Sequence, residues 1–159
     1  MVFSTVSYCI CAWGGAITST YNGRRIKYLH EKLVFKLFNR FYHGNSDIFK
    51  YFNLLKLDDI YKYFVGIHMY ELVRLRDNPS LLECIEIEYR NHSYETRGRN
   101  FALIPRPRLE VEKINFKYDF IKIWNEIPVS IANSDSIESF KYSLKIYFCN
   151  QYGISSINC

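Results

Sequence analysis

The sequence predicts a mainly α protein: a small helical domain with a minor β element and a long basic loop. Three observations predict it. Three stretches repeat their apolar residues at steps of three and four, one short stretch alternates apolar with polar, and residues 91–109 keep no period while carrying Gly98, Pro105 and Pro107. At 159 residues the chain is one domain's worth, read as a single domain over 1–159, and long enough to bury a core. Hydrophobic residues at 48% and charged residues at 23% exclude wholesale disorder, and 7 Gly with 4 Pro exclude a collagen-like chain or a flexible linker.

Residues 2–17 are mostly apolar but interrupted by Ser4, Thr5, Ser7, Gly14 and Gly15. The stretch is shorter than the roughly 20 residues of a membrane span, and the first cation, Arg24, follows it, so neither a span nor a secretory signal is expected. It reads as a buried helix or strand. Residues 26–41 place Ile26, Leu29, Leu33, Leu37 and Phe41 on one helical face, with Val34 and Phe38 beside them and Lys32, Lys36 and Arg40 on another. His43-Gly44-Asn45-Ser46 ends that helix, and a short segment follows over residues 48–55. The next helix has Asp58 as its expected N-cap and Asp59 in its first turn, where a carboxylate meets the positive end of the macrodipole. Tyr61, Val65, Met69 and Leu72 are its expected buried stripe, widened by Ile60, Phe64 and Ile67, and Asp77-Asn78-Pro79 closes it.

Residues 81–89 read as a brief strand or helical turn. Pro105 and Pro107 bias their predecessors away from helix, so residues 91–109 read as extended loop. Ile114, Phe116 and Tyr118 alternate with Asn115 and Lys117, the short strand signal. Residues 120–125 read as one or two helical turns stopped by Pro128. The last helix begins near Asp135 or Ser136, with Asp135 and Glu138 spaced as a capping box. Ile137, Phe140, Leu144, Tyr147 and Phe148 are its apolar stripe, and Gln151-Tyr152-Gly153 ends it.

Charge is uneven. The net charge is +5, but residues 24–40 hold six cations against Glu31 alone, and residues 90–108 hold five arginines against Glu95 alone. The rest of the chain carries 10 cations against 14 acids, so two basic stretches sit on an otherwise acidic chain. Cys9, Cys11, Cys84, Cys149 and Cys159 form no CxxC pair and no Cys/His knuckle, so neither a zinc site nor a disulfide framework is expected, and a reducing, intracellular setting fits best. His30, His43, His68 and His92 stand alone, no nucleophile elbow or phosphate-cradling glycine loop is present, and Asp58-Asp59 enter a helix instead of a hairpin tip able to hold two divalent cations. No catalytic residue, metal, cofactor or small-molecule substrate is expected. The strongest local feature is His92-Ser93-Tyr94-Glu95-Thr96-Arg97-Gly98-Arg99 followed by Ile104-Pro105-Arg106-Pro107-Arg108. Arginines on an extended backbone reach phosphates with paired donors, and Tyr or His stacks on unpaired bases, making His92, Tyr94, Arg97, Arg99, Arg106 and Arg108 the candidate nucleic-acid-binding residues. The alternative is a solvated basic loop whose arginines pair with Glu110, Glu112 and the acids at 83–88.

A series of short motifs adds a resemblance. Tyr8-Cys9-Ile10-Cys11-Ala12-Trp13-Gly14-Gly15 resembles the segment closing the thumb of LINE-type (jockey-like non-LTR) retrotransposon reverse transcriptases. Leu54-Leu55-Lys56-Leu57-Asp58-Asp59-Ile60-Tyr61 resembles the family's Leu-Lys-Leu-x-x-Ile-Tyr helix start, and His92-x-Tyr94-x-Thr96-Arg97 its His-x-Tyr-x-Thr-Arg motif. Pro105-Arg106-x-Arg108, Trp124-Asn125-x-Ile127-Pro128 and Ser139-Phe140-Lys141-x-x-Leu144-Lys145-x-Tyr147 continue the series colinearly. Phe120-Ile121 replaces the family's usual Gly-Pro, and Leu29-His30-Glu31-Lys32 stands where a Gln- and Lys/Arg-rich thumb helix is usual, departures that point to a decayed copy. The resemblance implies the portion that follows the polymerase palm, with the family's aromatic-x-Asp-Asp centre and endonuclease upstream and no polymerase activity expected of this chain alone. The implied partners are RNA or an RNA–DNA hybrid, and an upstream polymerase domain where one is encoded; no membrane partner is expected, and the implied compartment is nuclear or cytoplasmic. The alternative is a non-functional remnant or protein-interaction module without nucleic-acid binding, suggested by the apolar residues 2–17.

Overall fold

The computed structural model describes residues 10–15, 20–42, 47–75, 102–104 and 116–152, with Trp13 and Phe116 described by their backbone alone. These residues are mainly helical: α1 (Ile10–Trp13), α2 (Tyr21–Phe38) continued by a 3-10 turn (Asn39–Phe41), α3 (Ile48–Tyr51), α4 (Leu57–Tyr70) continued by a π-helical turn (Glu71–Leu75), α5 (Phe116–Glu126), α6 (Val129–Ala132) and α7 (Ile137–Gln151). Among the described residues, no helix is long and apolar enough to cross a membrane. The chain divides into two compact units, residues 1–63 with 141–159 and residues 64–140, so that α4 and α7 each contribute to both.

In the first unit, α2 starts at Tyr21 because Thr20 is extended and its hydroxyl accepts from the Gly23 N–H at 3.0 Å, satisfying one of the first-turn donors. That start is five residues earlier than the apolar period indicates. Asp47 caps α3 in the same way, accepting from Phe49 N–H at 2.9 Å. A Schellman closure ends it: the Leu54 N–H reaches the Phe49 carbonyl at 2.8 Å and the Asn53 N–H the Lys50 carbonyl at 3.2 Å, with Asn53 left-handed at φ 53°. Leu57 then opens α4, so Asp58 is its second residue and not its N-cap as the sequence suggests; both aspartates still lie in the first turn. Along α4 and its continuation Leu57, Ile60 and Tyr61 of this unit, and Val65, Ile67, Met69, Tyr70 and Leu72 of the second, are buried: the expected stripe with Leu57 and Tyr70 added and Phe64 only half-buried. The rings of Phe38 and Phe52 (4.9 Å), Tyr42 and Tyr51 (5.4 Å), and Phe49 and Tyr152 (6.4 Å) fill the space around α3. Of the apolar stretch 2–17, Ile10 on α1 is buried, Cys11 is half-buried and Ala12 is exposed, and residues 2–9 and 16–17 lie outside the described residues.

The second unit is built on Phe140. It is fully buried, with the Tyr70 ring stacked on it at 4.4 Å and the Trp124 ring at 6.3 Å. The Tyr70 hydroxyl donates to the Ser134 carbonyl at 2.6 Å, giving a buried phenol its partner. On α5, Phe120, Ile121, Ile123, Trp124 and, just beyond it, Ile127 are buried. This helix corrects one expectation: Phe116 and Tyr118, assigned to a short strand, open α5 instead. A five-residue alternation is outweighed by apolar steps of three and four running on through Ile127. Ser136, one of the two expected starts, caps α7, its hydroxyl accepting from Ser139 N–H at 3.2 Å, so Asp135 and Glu138 form no capping box.

Candidate nucleic-acid interface

His92, Tyr94, Arg97, Arg99, Arg106 and Arg108 lie outside the described residues. Within that loop residues 102–104 are described, and they are pinned: the Asn125 carboxamide accepts from the Ala102 N–H at 2.9 Å and donates to the Ala102 carbonyl at 2.8 Å, while Leu103 and Ile104 are exposed. The other basic stretch, residues 24–40, is described in full.

The rotational setting of α2 follows from what it turns inward. Gly23 and Val34 are buried, and Lys27, His30 and Phe38 are half-buried. Steps of four, three, four and four put these five on one stripe. Lys27 pairs with Asp58 at the start of α4, and that bond, ahead of the opposing desolvation, raises the Lys27 pKa above its ordinary value. His30 and Phe38 meet the Phe49 and Phe52 rings. The face expected to be buried is therefore the wrong one: Ile26, Leu29, Leu33, Leu37 and Phe41 are exposed. The cause is that α2 is apolar around most of its circumference, so hydropathy alone does not choose a face, and the ion pair and ring contacts to α3 and α4 do.

That setting sends Arg24, Arg25, Lys32, Lys36 and Arg40 to solvent. Among the described residues none of these five forms an ion pair with a carboxylate, since the pairs there are Lys27–Asp58, Lys56–Asp47 and His68–Glu71. The Lys32 ammonium instead lies 5.8 Å from the centre of the Tyr28 ring. Tyr21, Tyr28 and Phe35, exposed at 77%, 60% and 54%, are not among the residues that the sequence motifs single out; the signal for them is their seven-residue spacing.

The other polar cluster consumes its own charges. The Tyr152 hydroxyl accepts from the Lys56 N–H at 2.9 Å and donates to Asp59 Oδ2 at 2.6 Å. Lys56 Nζ bonds Asp47 Oδ2 at 2.8 Å and lies 4.8 Å from the Tyr152 ring centre and 5.5 Å from that of Phe49. Burial raises the Asp59 carboxyl against the opposing Tyr152 bond, and burial together with that bond pushes the Tyr152 phenol far up. Burial also raises the Cys149 thiol, which points at the Leu54 carbonyl (3.7 Å), and so disfavours its thiolate form. With Asp58 bound to Lys27 and Asp59 to Tyr152, the adjacent carboxylates are each engaged by a side chain from another part of the fold and brace α4. Among the described residues no three His, Cys, Asp or Glu side chains converge on a metal position. Of the described motif residues, Leu55, Leu57, Tyr61, Trp124, Ile127, Phe140 and Leu144 are core residues, whereas Ala12 and Ser139 are exposed. Among the described residues, the densest run of cations facing water is the one on α2. No family model, curated protein or solved structure matches this chain.

Proposed function

We propose that this chain is the catalytically incomplete C-terminal portion of a LINE-type retrotransposon RNA-directed DNA polymerase, and that it contributes binding to RNA or an RNA–DNA hybrid in a nuclear or cytoplasmic setting. The observation that carries the binding reading is the row of exposed cations on α2, which no described carboxylate neutralises. Phosphates are the partner such a row fits, because each contact releases condensed counterions. The ancestry rests on the colinear motifs, including His92-x-Tyr94-x-Thr96-Arg97 and Pro105-Arg106-x-Arg108. Nucleotide addition on this reading belongs to an upstream palm, and the chain's own part is to hold the nucleic acid.

Fluorescence polarisation with a labelled RNA strand and a labelled RNA–DNA hybrid tests it across 50–200 mM salt. Affinity is expected to fall linearly on logarithmic axes, and Lys32→Gln with Lys36→Gln to flatten the slope by about 0.7–0.9 for each phosphate the variant no longer neutralises. Absent or salt-indifferent binding overturns the proposal. One observation favours a second reading, a protein-interaction module: Ile26, Leu29, Leu33 and Leu37 line a solvent-facing aliphatic ridge on α2. On that reading Leu29→Glu with Leu33→Glu abolishes association with a protein partner, and nucleic-acid affinity is nil throughout.

A further inference from the structure

The outward surface of α2 is ordered in rows. Tyr21, Tyr28 and Phe35 recur every seven residues, which turns each ring about 20° from the one before it, about 40° from first to last, and spaces them about 10 Å apart along the axis. Arg25, Lys32 and Lys36 form the adjacent row, with Arg25 one turn beyond Tyr21 and Lys32 one turn beyond Tyr28. The rows touch, since the Lys32 ammonium lies over the Tyr28 ring. Past the cations comes the aliphatic ridge of Ile26, Leu29, Leu33 and Leu37. From these rows we infer that α2 takes a single nucleic-acid strand lengthwise, its bases stacked on Tyr21, Tyr28 and Phe35 and its phosphates on Arg25, Lys32 and Lys36.

This rests on the binding reading above and sharpens it. Cations alone would serve a duplex as well as a single strand, because both present phosphates. Aromatic rings would not. The bases of a duplex keep their π-faces stacked on one another, whereas an unpaired strand offers every base's face, and stacking tolerates any base. Three large rings exposed at 54% or more are costly to leave in water, and a base removes that apolar face from water while its phosphate meets the cation one turn away. At a stacked rise of about 3.4 Å per nucleotide, a 10 Å spacing places a ring at about every third base, and more often on a stretched strand. The chemistry does not distinguish ribose from deoxyribose, so both belong in the test.

The full chain is titrated with fluorescein-labelled U12, dT12, a 12-base-pair DNA duplex and a 12-base-pair RNA–DNA hybrid at 100 mM salt. Either or both single strands are expected to bind at least tenfold more tightly than both duplexes. Tyr28→Ala and Phe35→Ala should each weaken single-strand binding by about fivefold or more with the salt slope unchanged, while Tyr28→Phe restores it and Lys32→Gln lowers the slope. The three substituted positions are on the exposed face of α2, and an unchanged circular-dichroism melt shows that the fold is kept. Equal affinity for single and double strands, or indifference to Tyr28→Ala and Phe35→Ala, overturns the stacking inference and leaves phosphate binding standing. No binding to any of the four overturns both, and cosedimentation with anionic vesicles in that case assigns the rows to a membrane surface.

Discussion

His30 is half-buried on the inward stripe of α2, its ring 6.0 Å from that of Phe49, and its buried Nδ1 has no hydrogen-bond partner. Burial lowers its pKa from the ordinary 6.5, and the neighbouring Glu31 carboxylate opposes this only in part. A histidine whose folded pKa is depressed adds stability above its unfolded value, and that stability drains away as pH falls through the folded value. The protein is therefore expected to lose thermal stability between pH 7 and pH 5, and His30→Leu to flatten the profile of Tm against pH. An equally steep profile in the variant would show that other groups carry the acid response. Asn53 is the other residue with a cost of its own. Its φ of 53° closes the Schellman turn after α3, a conformation asparagine tolerates and most other side chains do not. Asn53→Ala should cost about 1 kcal/mol in urea unfolding and Asn53→Gly close to nothing, whereas equal losses would trace the role to the carboxamide and not to the backbone.

At the scale of elements, two contacts decide how segments dock. Gly14 follows α1, buried, and its N–H bonds the Ile10 carbonyl at 2.6 Å. A Cβ there would run into the Tyr61 ring of α4 and stand 2.5 Å from the Ile10 carbonyl oxygen, so Gly14→Ala must move a buried ring and is expected to destabilise by about 1–3 kcal/mol in chemical denaturation. Asn125 performs the parallel task for α5, since Asn125→Ala strips the buried Ala102 of partners for both its N–H and its carbonyl and should cost about 1–3 kcal/mol, visible as faster amide exchange at Ala102. Neither contact was legible in the sequence as a contact, although Gly14 and Asn125 both stand in the motif series. The stripe of α4 was legible, because Tyr61, Val65, Met69 and Leu72 keep their period and the opposite face is more polar. The face of α2 was not, because its apolar residues cover too much of the circumference and the choice rests on Asp58, Phe49 and Phe52, which approach from elsewhere in the chain. The start of α5 failed for a simpler reason: alternation over Ile114, Phe116 and Tyr118 is too short to outvote the helical steps after it.

For the whole molecule the deciding quantity is where charge sits, not how much there is. A net +5 spread evenly would give a weak, unspecific attraction, and beyond about 8–10 Å at physiological salt one exposed charge scarcely senses another. Residues 24–40 bring cations three and four apart, such as Lys32 and Lys36, inside that distance, and this was plain from the sequence; that they face water unpaired was not, because Lys27 looks like its neighbours in the sequence yet pairs with Asp58. Two variants with the same net charge separate placement from total. Lys32→Glu with Lys36→Glu takes two cations from the α2 row, and Lys50→Glu with Lys122→Glu takes two exposed cations from α3 and α5. Each replacement subtracts two charges, so both doubles fall from +5 to +1. If the row is the anchor, the first double should lose at least tenfold more affinity for U12 at 100 mM salt than the second, and the gap should narrow as salt rises and screening shortens. Equal losses would mean that nucleic acid responds to the overall charge of the molecule and that α2 is no privileged surface.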